Sequence, residues 1–481
     1  MKESAARSRP IAAVGSLLAI AIIGAGLWLT VRQLWVPYSF WLDELLSVNA
    51  SSSSLSRLHE FLLADVHPPL YQLVLMAWMA LFGSNEPVTR TLSWVFAIAA
   101  VAVLVRFGRR FGKLFVLVSV GFVCSNRLFL YYSNETRSYA LALFLSALVL
   151  ATFPFGRAET PSIRFLVACL LLALTHYFGV LLAIVALAFA YAGRRADVSS
   201  RKRVVAAALL CLAWPVYHAF NGSVLGWTGG NHWIRVDGIG ESLALAAFGY
   251  VPGLPRLVAA ALLVSGLGAA CGVAALVRAN PRGADIRIAD VSLGASVMAL
   301  LFLAIVALLD RFTAVSTTRN YIVLLPFIAV SLAATVVMAV ERFPRSRPWL
   351  LTLAVAYGML SLSWSSREID EKRQSGQDWD TAFRVAVAGS ADRQILVHSY
   401  SIAGVGVGDH YLRKYGVDPS RAEPYEFRDT SGGEPAVLVY GGLLPDDYEA
   451  LLRNMQAIGA RRVYPETEAD DVSSTGVYLI E

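Results

Sequence analysis

The sequence predicts an α-helical polytopic membrane protein. It should have about eleven transmembrane helices, one further helix lying at the membrane interface, and a small C-terminal α/β domain in water. Three observations predict this. Of 481 residues, 56% are hydrophobic and only 16% charged, whereas soluble globular chains carry about 25% charged residues. Long apolar runs separated by short polar loops recur as far as residue 365. Beyond that the composition changes: residues 1–366 hold 29 Lys/Arg against 15 Asp/Glu, and residues 367–481 hold 12 against 20. The net charge of +6 therefore conceals a basic membrane domain, 1–366, joined to an acidic water-facing domain, 367–481. Basic residues confined to short loops between apolar spans do not imply nucleic acid.

In chain order, the N-terminus from Met1 to Pro10 is basic and leads into a long apolar run with no small-x-small cleavage site. It reads as an uncleaved first helix. Spans of membrane length fall at about 11–31, 88–107, 114–132, 137–155, 164–175, 178–193, 203–220, 256–278, 288–309, 320–341 and 348–365. The short pair 164–175 and 178–193 counts as two by parity. Pro68–Gly83 is a further apolar run, and if it crossed, every later loop would change sides. With it not crossing, the loops on the N-terminal side hold 20 Lys/Arg and all the rest of residues 1–366 only 9, the asymmetry expected of a cytoplasmic N-terminus. Pro68–Gly83 is therefore expected to lie at the outer interface, a level that suits Tyr71, Trp78 and Phe82. Parity then puts the C-terminal domain outside.

That domain shows strand-like runs at Ile395–His398, Ala436–Tyr440 and Gly476–Ile480, and helical patterns at Asp380–Ala388 and Asp446–Ile458. Asp446 and Asp447 open the second helix, as helix N-termini favour. The four cysteines, Cys124, Cys169, Cys211 and Cys271, lie within or beside apolar runs with no CxxC spacing. Neither disulfides nor a zinc or redox site is expected.

Polar and ionisable groups gather in the loops away from the basic side. The first outer loop, about 32–87, carries Asp43-Glu44. An acidic pair where a membrane helix leaves the bilayer is costly unless paired or solvated, and so marks a functional site. A partly desolvated carboxylate there suits a general base; a helix-stop pair solvated by headgroup water is the bland alternative. His67-Pro68-Pro69 fixes the entry to the interfacial helix, and His67 could hydrogen-bond a phosphate or serve structure alone. The second outer loop places Glu135 and Arg137 among tyrosines, including Tyr139. The arginine's planar fork suits phosphate, although a snorkelling arginine in an aromatic belt reads the same. His176-Tyr177, His232 with Arg235, and Arg319 with Tyr321 supply more phosphate-binding candidates on this face. The histidines could ligate a divalent metal with Asp43 or Glu135, but their spacing is not a metal motif. No cofactor is fixed by the pattern. The sequons at Asn49, Asn134 and Asn221 are discounted as common by chance.

The order of these motifs resembles a known family. A first helix followed by Asp43-Glu44, then His67-Pro68-Pro69-Leu70-Tyr71, then Leu81-Phe82-Gly83 with Arg90 beyond, then Tyr131-Tyr132-Ser133-Asn134-Glu135-Thr136-Arg137-Ser138-Tyr139 is similar to the bacterial branch of the protein O-mannosyltransferase and aminoarabinose-transferase glycosyltransferases. The match is good over about residues 10–200 and continues weakly through Arg319-Asn320-Tyr321 and the C-terminal domain. The resemblance implies a GT-C fold in a bacterial plasma membrane. It also implies transfer of a sugar from a polyprenyl-phosphate donor to a hydroxyl of a protein, glycan or lipid at the non-cytoplasmic face. By that match Asp43 is the catalytic acid/base, Glu44 accompanies it, Glu135 and Arg137 belong to the second site motif, and His67 and Tyr71 lie beside the donor. One departure stands out: aminoarabinose-transferase relatives tend to carry an acidic and a basic residue before the double proline, where this chain has Val66 and His67. That leaves a metal site and that particular sugar in doubt. A transporter or flippase is the second hypothesis; it calls for ionisable groups at the bilayer midplane and symmetric broken helices, and neither is legible here. A non-catalytic cell-envelope assembly protein is the third.

Overall fold

The computed structural model describes residues 2–36, 38–156, 160–193, 197–222, 256–280, 286–312, 315–374, 377–390, 393–399, 405–425, 435–443, 445–465 and 475–480. They form two compact units. The first comprises Met1–Trp35, Val66–Tyr71 and Arg90–Glu368; the second comprises Val36–Asp65, Gln72–Thr89 and Ile369–Glu481.

The first unit is a helical membrane body. Its helices are α1 (Lys2–Leu34), α5 (Glu86–Gly108), α6 (Lys113–Ser125), α7 (Arg127–Tyr132), α8 (Tyr139–Thr152), α9 (Ile163–Ala173), α10 (Tyr177–Ala192), α11 (Val198–Asn221), α12 (Arg256–Ala279), α13 (Ile286–Leu309), α14 (Leu325–Arg342) and α15 (Arg347–Gln374). Six segments among the described residues are long and apolar enough to cross a membrane: Val14–Leu34, Glu86–Phe111, Val198–Asn221, Ala260–Ala279, Ile286–Leu309 and Thr318–Arg342. The others are shorter apolar helices or, like α15, end in a polar turn.

The span read at 114–132 is broken in two. Asn126 adopts an extended backbone (φ −78°, ψ 139°), and its side-chain oxygen accepts the Leu128 N–H at 2.9 Å to start α7. The carbonyl of Ser125, left without a helical partner by the break, accepts the Ser361 hydroxyl at 2.7 Å. A side chain that can mimic a backbone acceptor ends one helix and caps the next. Close packing elsewhere depends on glycine. A Cβ at Gly26 of α1 would collide with the Cys124 carbonyl of α6, and one at Gly294 of α13 would lie 2.8 Å from the Phe155 ring.

The second unit joins the segment that follows α1 to the C-terminal domain. That segment is largely helical, with α2 (Leu42–Ser51), α3 (Leu55–Ala64) and α4 (Leu70–Phe82). Leu58, Phe61 and Leu62 form the buried face of α3, the i, i+3, i+4 pattern of an amphipathic helix. Helix α4 has 13 residues, a length of about 20 Å against the ~30 Å hydrocarbon core. The C-terminal domain adds α16 (Trp379–Gly389), α17 (Gly408–Lys414) and α18 (Pro445–Ala457) to strands β1 (Gln394–His398), β2 (Ala422–Pro424), β3 (Ala436–Tyr440), β4 (Arg461–Tyr464) and β5 (Gly476–Ile480). The sheet order is β2-β1-β3-β5-β4. β1 is parallel to β2 and β3, and β5 is antiparallel to β3 and β4. β3 and β5 are buried throughout, the continuous apolar pattern of strands covered on both faces. Leu451 and Met455 of α18 pack with Leu438, Tyr440 and Tyr478 on one side. Trp379, Ala382, Phe383 and Ala386 are the buried residues of α16.

Candidate functional site

In the first unit four chain segments that each lead into a helix converge. They are Val66–Pro69 before α4, Glu135–Ser138 before α8, the turn at Leu174–His176 before α10, and the 3₁₀ turn Thr318–Leu324 before α14. The Leu70 N–H donates to the Leu174 carbonyl at 2.9 Å and ties the first to the third. The Ser93 hydroxyl donates to the Glu135 carbonyl at 2.6 Å and holds the second against α5. Helix N-termini carry partial positive charge from unsatisfied N–H groups, so their convergence favours an anion.

The side chains reinforce that field. Arg137 is 5% exposed, His67 8% and His176 5%. Arg137 Nη2 lies 3.3 Å from both ring nitrogens of His67. One donor cannot form in-plane hydrogen bonds to both nitrogens, so the guanidinium packs across the face of the imidazole. His67 and His176 meet at a centroid distance of 5.7 Å, and Tyr139 packs on His176 at 5.8 Å. Arg319 lies over the Tyr139 ring, 5.9 Å from its centroid. His176 Nδ1 accepts the Phe178 N–H at 3.1 Å, so the neutral ring carries its proton on Nε2 as a donor. Burial, then His67, Arg319 and Arg137, holds the His176 pKa well below the ordinary histidine range and keeps the ring in that neutral form. Two arginines, two histidines and a buried tyrosine thus form a cationic, aromatic cluster whose chemistry suits a phosphate or sulfate oxygen.

Residues given no site role on the sequence alone belong here, Ser138 and Arg90 among them although they stand in the quoted motifs. Among the described residues, Ser138 Oγ and Thr318 Oγ1 are buried and have no hydrogen-bond partner. They adjoin Arg137 and Arg319, an adjacency that could have flagged them. Arg90 is 2% exposed and precedes Ser93 by one helical turn on α5, on the face that meets Glu135.

The remaining predicted residues divide. Glu135 is 4% exposed, and its carbonyl also receives the Arg137 N–H at 2.7 Å. Tyr321 is buried against Phe178, with ring centroids 5.7 Å apart, and its hydroxyl pairs with Ser316 at 3.0 Å. Phe178 in turn packs on His176, so Tyr321 backs the cluster. Tyr71 pairs with Ser93 at 3.4 Å. Tyr177 hydrogen-bonds His218 of α11 and stacks on it. His232 and Arg235 lie outside the described residues.

The second unit carries Asp43 and Glu44. They open α2, whereas the sequence alone suggested the end of a membrane helix; acidic residues in a first turn complement the helix dipole. Neighbouring positions on a helix point about 100° apart, and the two side chains divide accordingly. Glu44 is 1% exposed, and its Oε2 accepts the Trp41 N–H at 3.4 Å, the return half of a capping box. Asp43, by contrast, is only partly buried. Among the described residues no group of three His, Cys, Asp or Glu side chains is placed to hold a metal ion.

No protein-family model matches the sequence, and no curated protein matches it either. Among solved structures the chain is similar to ArnT from Cupriavidus metallidurans bound to undecaprenyl phosphate, at 16% identity and a TM-score of 0.41, covering 98% of each chain. It is also similar to the apo state of that protein, at 14% identity and a TM-score of 0.40, with 97% of each chain covered. The Archaeoglobus fulgidus oligosaccharyltransferase in complex with Zn and sulfate is a third, at 12% identity and a TM-score of 0.46, covering 96% of this chain and 73% of that one. Identities this low carry no residue-by-residue correspondence.

Proposed function

We propose that this polytopic membrane protein is an inverting glycosyltransferase. It moves a sugar from a polyprenyl-phosphate donor to a hydroxyl of a protein, glycan or lipid at the outer face of a bacterial plasma membrane. The observation that carries the reading is the cluster of buried Arg137, His67 and His176 with Arg319 beside them, where four helix N-termini meet. Such a cluster within an apolar helical body calls for an anion that arrives through lipid. A phosphate on a polyprenyl chain has that character. The resemblance of the ordered motifs to the mannosyl- and aminoarabinosyltransferase families supports the same reaction class.

In this reading Asp43 takes the proton of the acceptor hydroxyl. The oxygen forms a bond to the anomeric carbon as the bond from that carbon to the phosphate oxygen breaks, and the electron pair leaves on the phosphate. Attack opposite the leaving group inverts the anomeric configuration. Arg137 and Arg319 stabilise the growing phosphate charge, and neutral His176 donates a hydrogen bond through Nε2. The partly exposed position of Asp43 supports this role, and Glu44 holds the helix start beside it. The test is to incubate purified protein in liposomes with a panel of polyprenyl-phosphate sugars and native membranes. The reading expects consumption of one donor, release of polyprenyl phosphate and a product of opposite anomeric configuration. A retained configuration would exclude a direct displacement, and transbilayer movement of the donor without transfer would favour a flippase.

A further inference from the structure

We propose that the C-terminal α/β domain is the jig for the catalytic base, with Tyr411 and Gln377 as positioning residues that fix the chain on the N-terminal side of Asp43. This rests on the assignment of Asp43 as the base. The segment leading into α2 has few means of holding itself. At residues 38–41 it is irregular, and irregular backbone needs partners for its N–H groups.

Those partners come from more than 300 residues away. The Phe40 N–H donates to the Tyr411 hydroxyl at 2.9 Å, and that hydroxyl donates its own proton to Glu86 Oε1 at 2.9 Å. Burial, strengthened by the Glu86 charge, raises the Tyr411 pKa and keeps the phenol protonated for this relay. Phe40 itself is 0% exposed and packs edge-on against His410. One residue before Asp43, the Leu42 N–H donates to Gln377 Oε1 at 2.8 Å, and the same oxygen receives the Trp379 indole N–H at 2.9 Å. The Ser39 hydroxyl donates to the Gln377 carbonyl at 2.7 Å and accepts the Trp379 N–H at 3.1 Å. Farther along α2, Asn49 Nδ2 donates to the Gly406 carbonyl at 2.6 Å. The fit is close: at Gly442 (φ +61°), just beyond β3, an added Cβ would lie 3.1 Å from Leu42 Cδ2.

Each anchor alone would be an ordinary loop contact. Together they fix positions 39, 40, 42 and 49, on both sides of Asp43, to α16, α17 and the segments that lead into those helices. A base must sit within hydrogen-bond reach of the proton it takes, and a displacement of about 1 Å can cost about 100-fold in rate. A partly exposed carboxylate on a short helix meets that demand when the helix is clamped from outside.

The test uses the full chain in liposomes. Tyr411→Phe removes both hydrogen bonds of the relay and keeps the ring; Gln377→Ala removes the double acceptor, and Gln377→Glu restores it. The expected result for the first two is a loss of about 10- to 100-fold in kcat with the donor KM within about twofold of wild type. Gln377→Glu is expected to recover to within about threefold, and Arg453→Ala on the exposed face of α18 to match wild type. Hydrogen exchange should rise at residues 38–44 and stay unchanged at β3 and β5. In an Asp43→Asn background Tyr411→Phe should change the residual rate by less than about twofold, because residues acting as a unit are not additive. If Tyr411→Phe loosens β3 and β5 as well, the Gln377 pair decides. Wild-type kcat in both single variants, with Asp43→Asn inactive, would overturn this inference alone. A full additive loss in the Asp43→Asn background would also overturn it. An active Asp43→Asn enzyme would remove the base assignment and this inference with it.

Discussion

Replacing Arg137 with lysine keeps the charge and removes the planar fork, and so separates a phosphate clamp from a general positive field. Arg137 is 5% exposed and one of its terminal nitrogens lies against His67. Lysine in its place would present one ammonium group where two parallel donors could face the phosphate. The loss is about one charge-assisted hydrogen bond, about 1.5–3 kcal/mol, or about 10- to 150-fold in kcat/KM for the donor. Burial makes the loss hard to recover, because water cannot readily take the vacated position. Two measurements in liposomes would show it: kcat/KM for the donor, and inhibition by free polyprenyl phosphate. Both should weaken by similar factors, and binding of the uncharged polyprenol should stay the same. An Arg137→Lys enzyme with donor kcat/KM and polyprenyl-phosphate inhibition within about twofold of wild type would refute the clamp.

Other consequences are open to simpler tests. His176→Asn should keep the turn and lose the Nε2 donor, lowering donor kcat/KM by about 10-fold. Because the His176 pKa lies well below its ordinary value, the wild-type rate should show no ionisation near pH 6.5 that disappears in this variant; finding one would contradict a neutral His176. His410, against which Phe40 packs, has a lowered pKa, chiefly from burial, with Glu86 and Asp380 opposing and Lys414 and Arg413 assisting. The unfolded chain therefore takes up that proton first. The contribution to stability is present above about pH 6.5 and is lost as pH falls through the lower folded value, so hydrogen exchange at residues 38–44 should rise in mild acid and rise less in His410→Gln. At Gly476 a Cβ would collide with the Tyr440 ring, and Gly476→Ala should destabilise the C-terminal domain by about 1–3 kcal/mol, visible as a lower melting temperature of that unit.

The helical body was legible from the sequence because lipid solvent enforces long apolar runs. All eleven expected spans meet helices, and the main departure, the break at Asn126, rests on one polar side chain inside an otherwise apolar stretch. The three longer strands of the C-terminal domain and its two amphipathic helices were equally readable. β2 and β4, with 3 and 4 residues, and α17, with 7, are too short to establish a periodicity. At the site, types and positions were readable but grouping was not. Nothing in the sequence says that His67 meets Arg137 and His176 whereas Tyr177 turns to His218. Gln377 and Tyr411 lie in a different part of the chain from Asp43, and no local pattern links them to it. The helix start at Asp43-Glu44 did leave a trace, since paired acids suit a first turn. Their closeness to the first apolar span drew attention to where that span ends instead.

The most direct measurement is single-turnover transfer by Asp43→Asn beside wild type. Both would be reconstituted at equal density and loaded with the donor that wild type consumes. Asp43→Asn should bind polyprenyl phosphate as tightly as wild type, since the Arg137–His67–His176 cluster is untouched, and transfer sugar at least about 100-fold more slowly, the scale of a lost general base. Transfer at the wild-type rate would contradict the assignment of Asp43. Loss of phosphate binding together with transfer would show that the residue acts in substrate binding and not in proton removal.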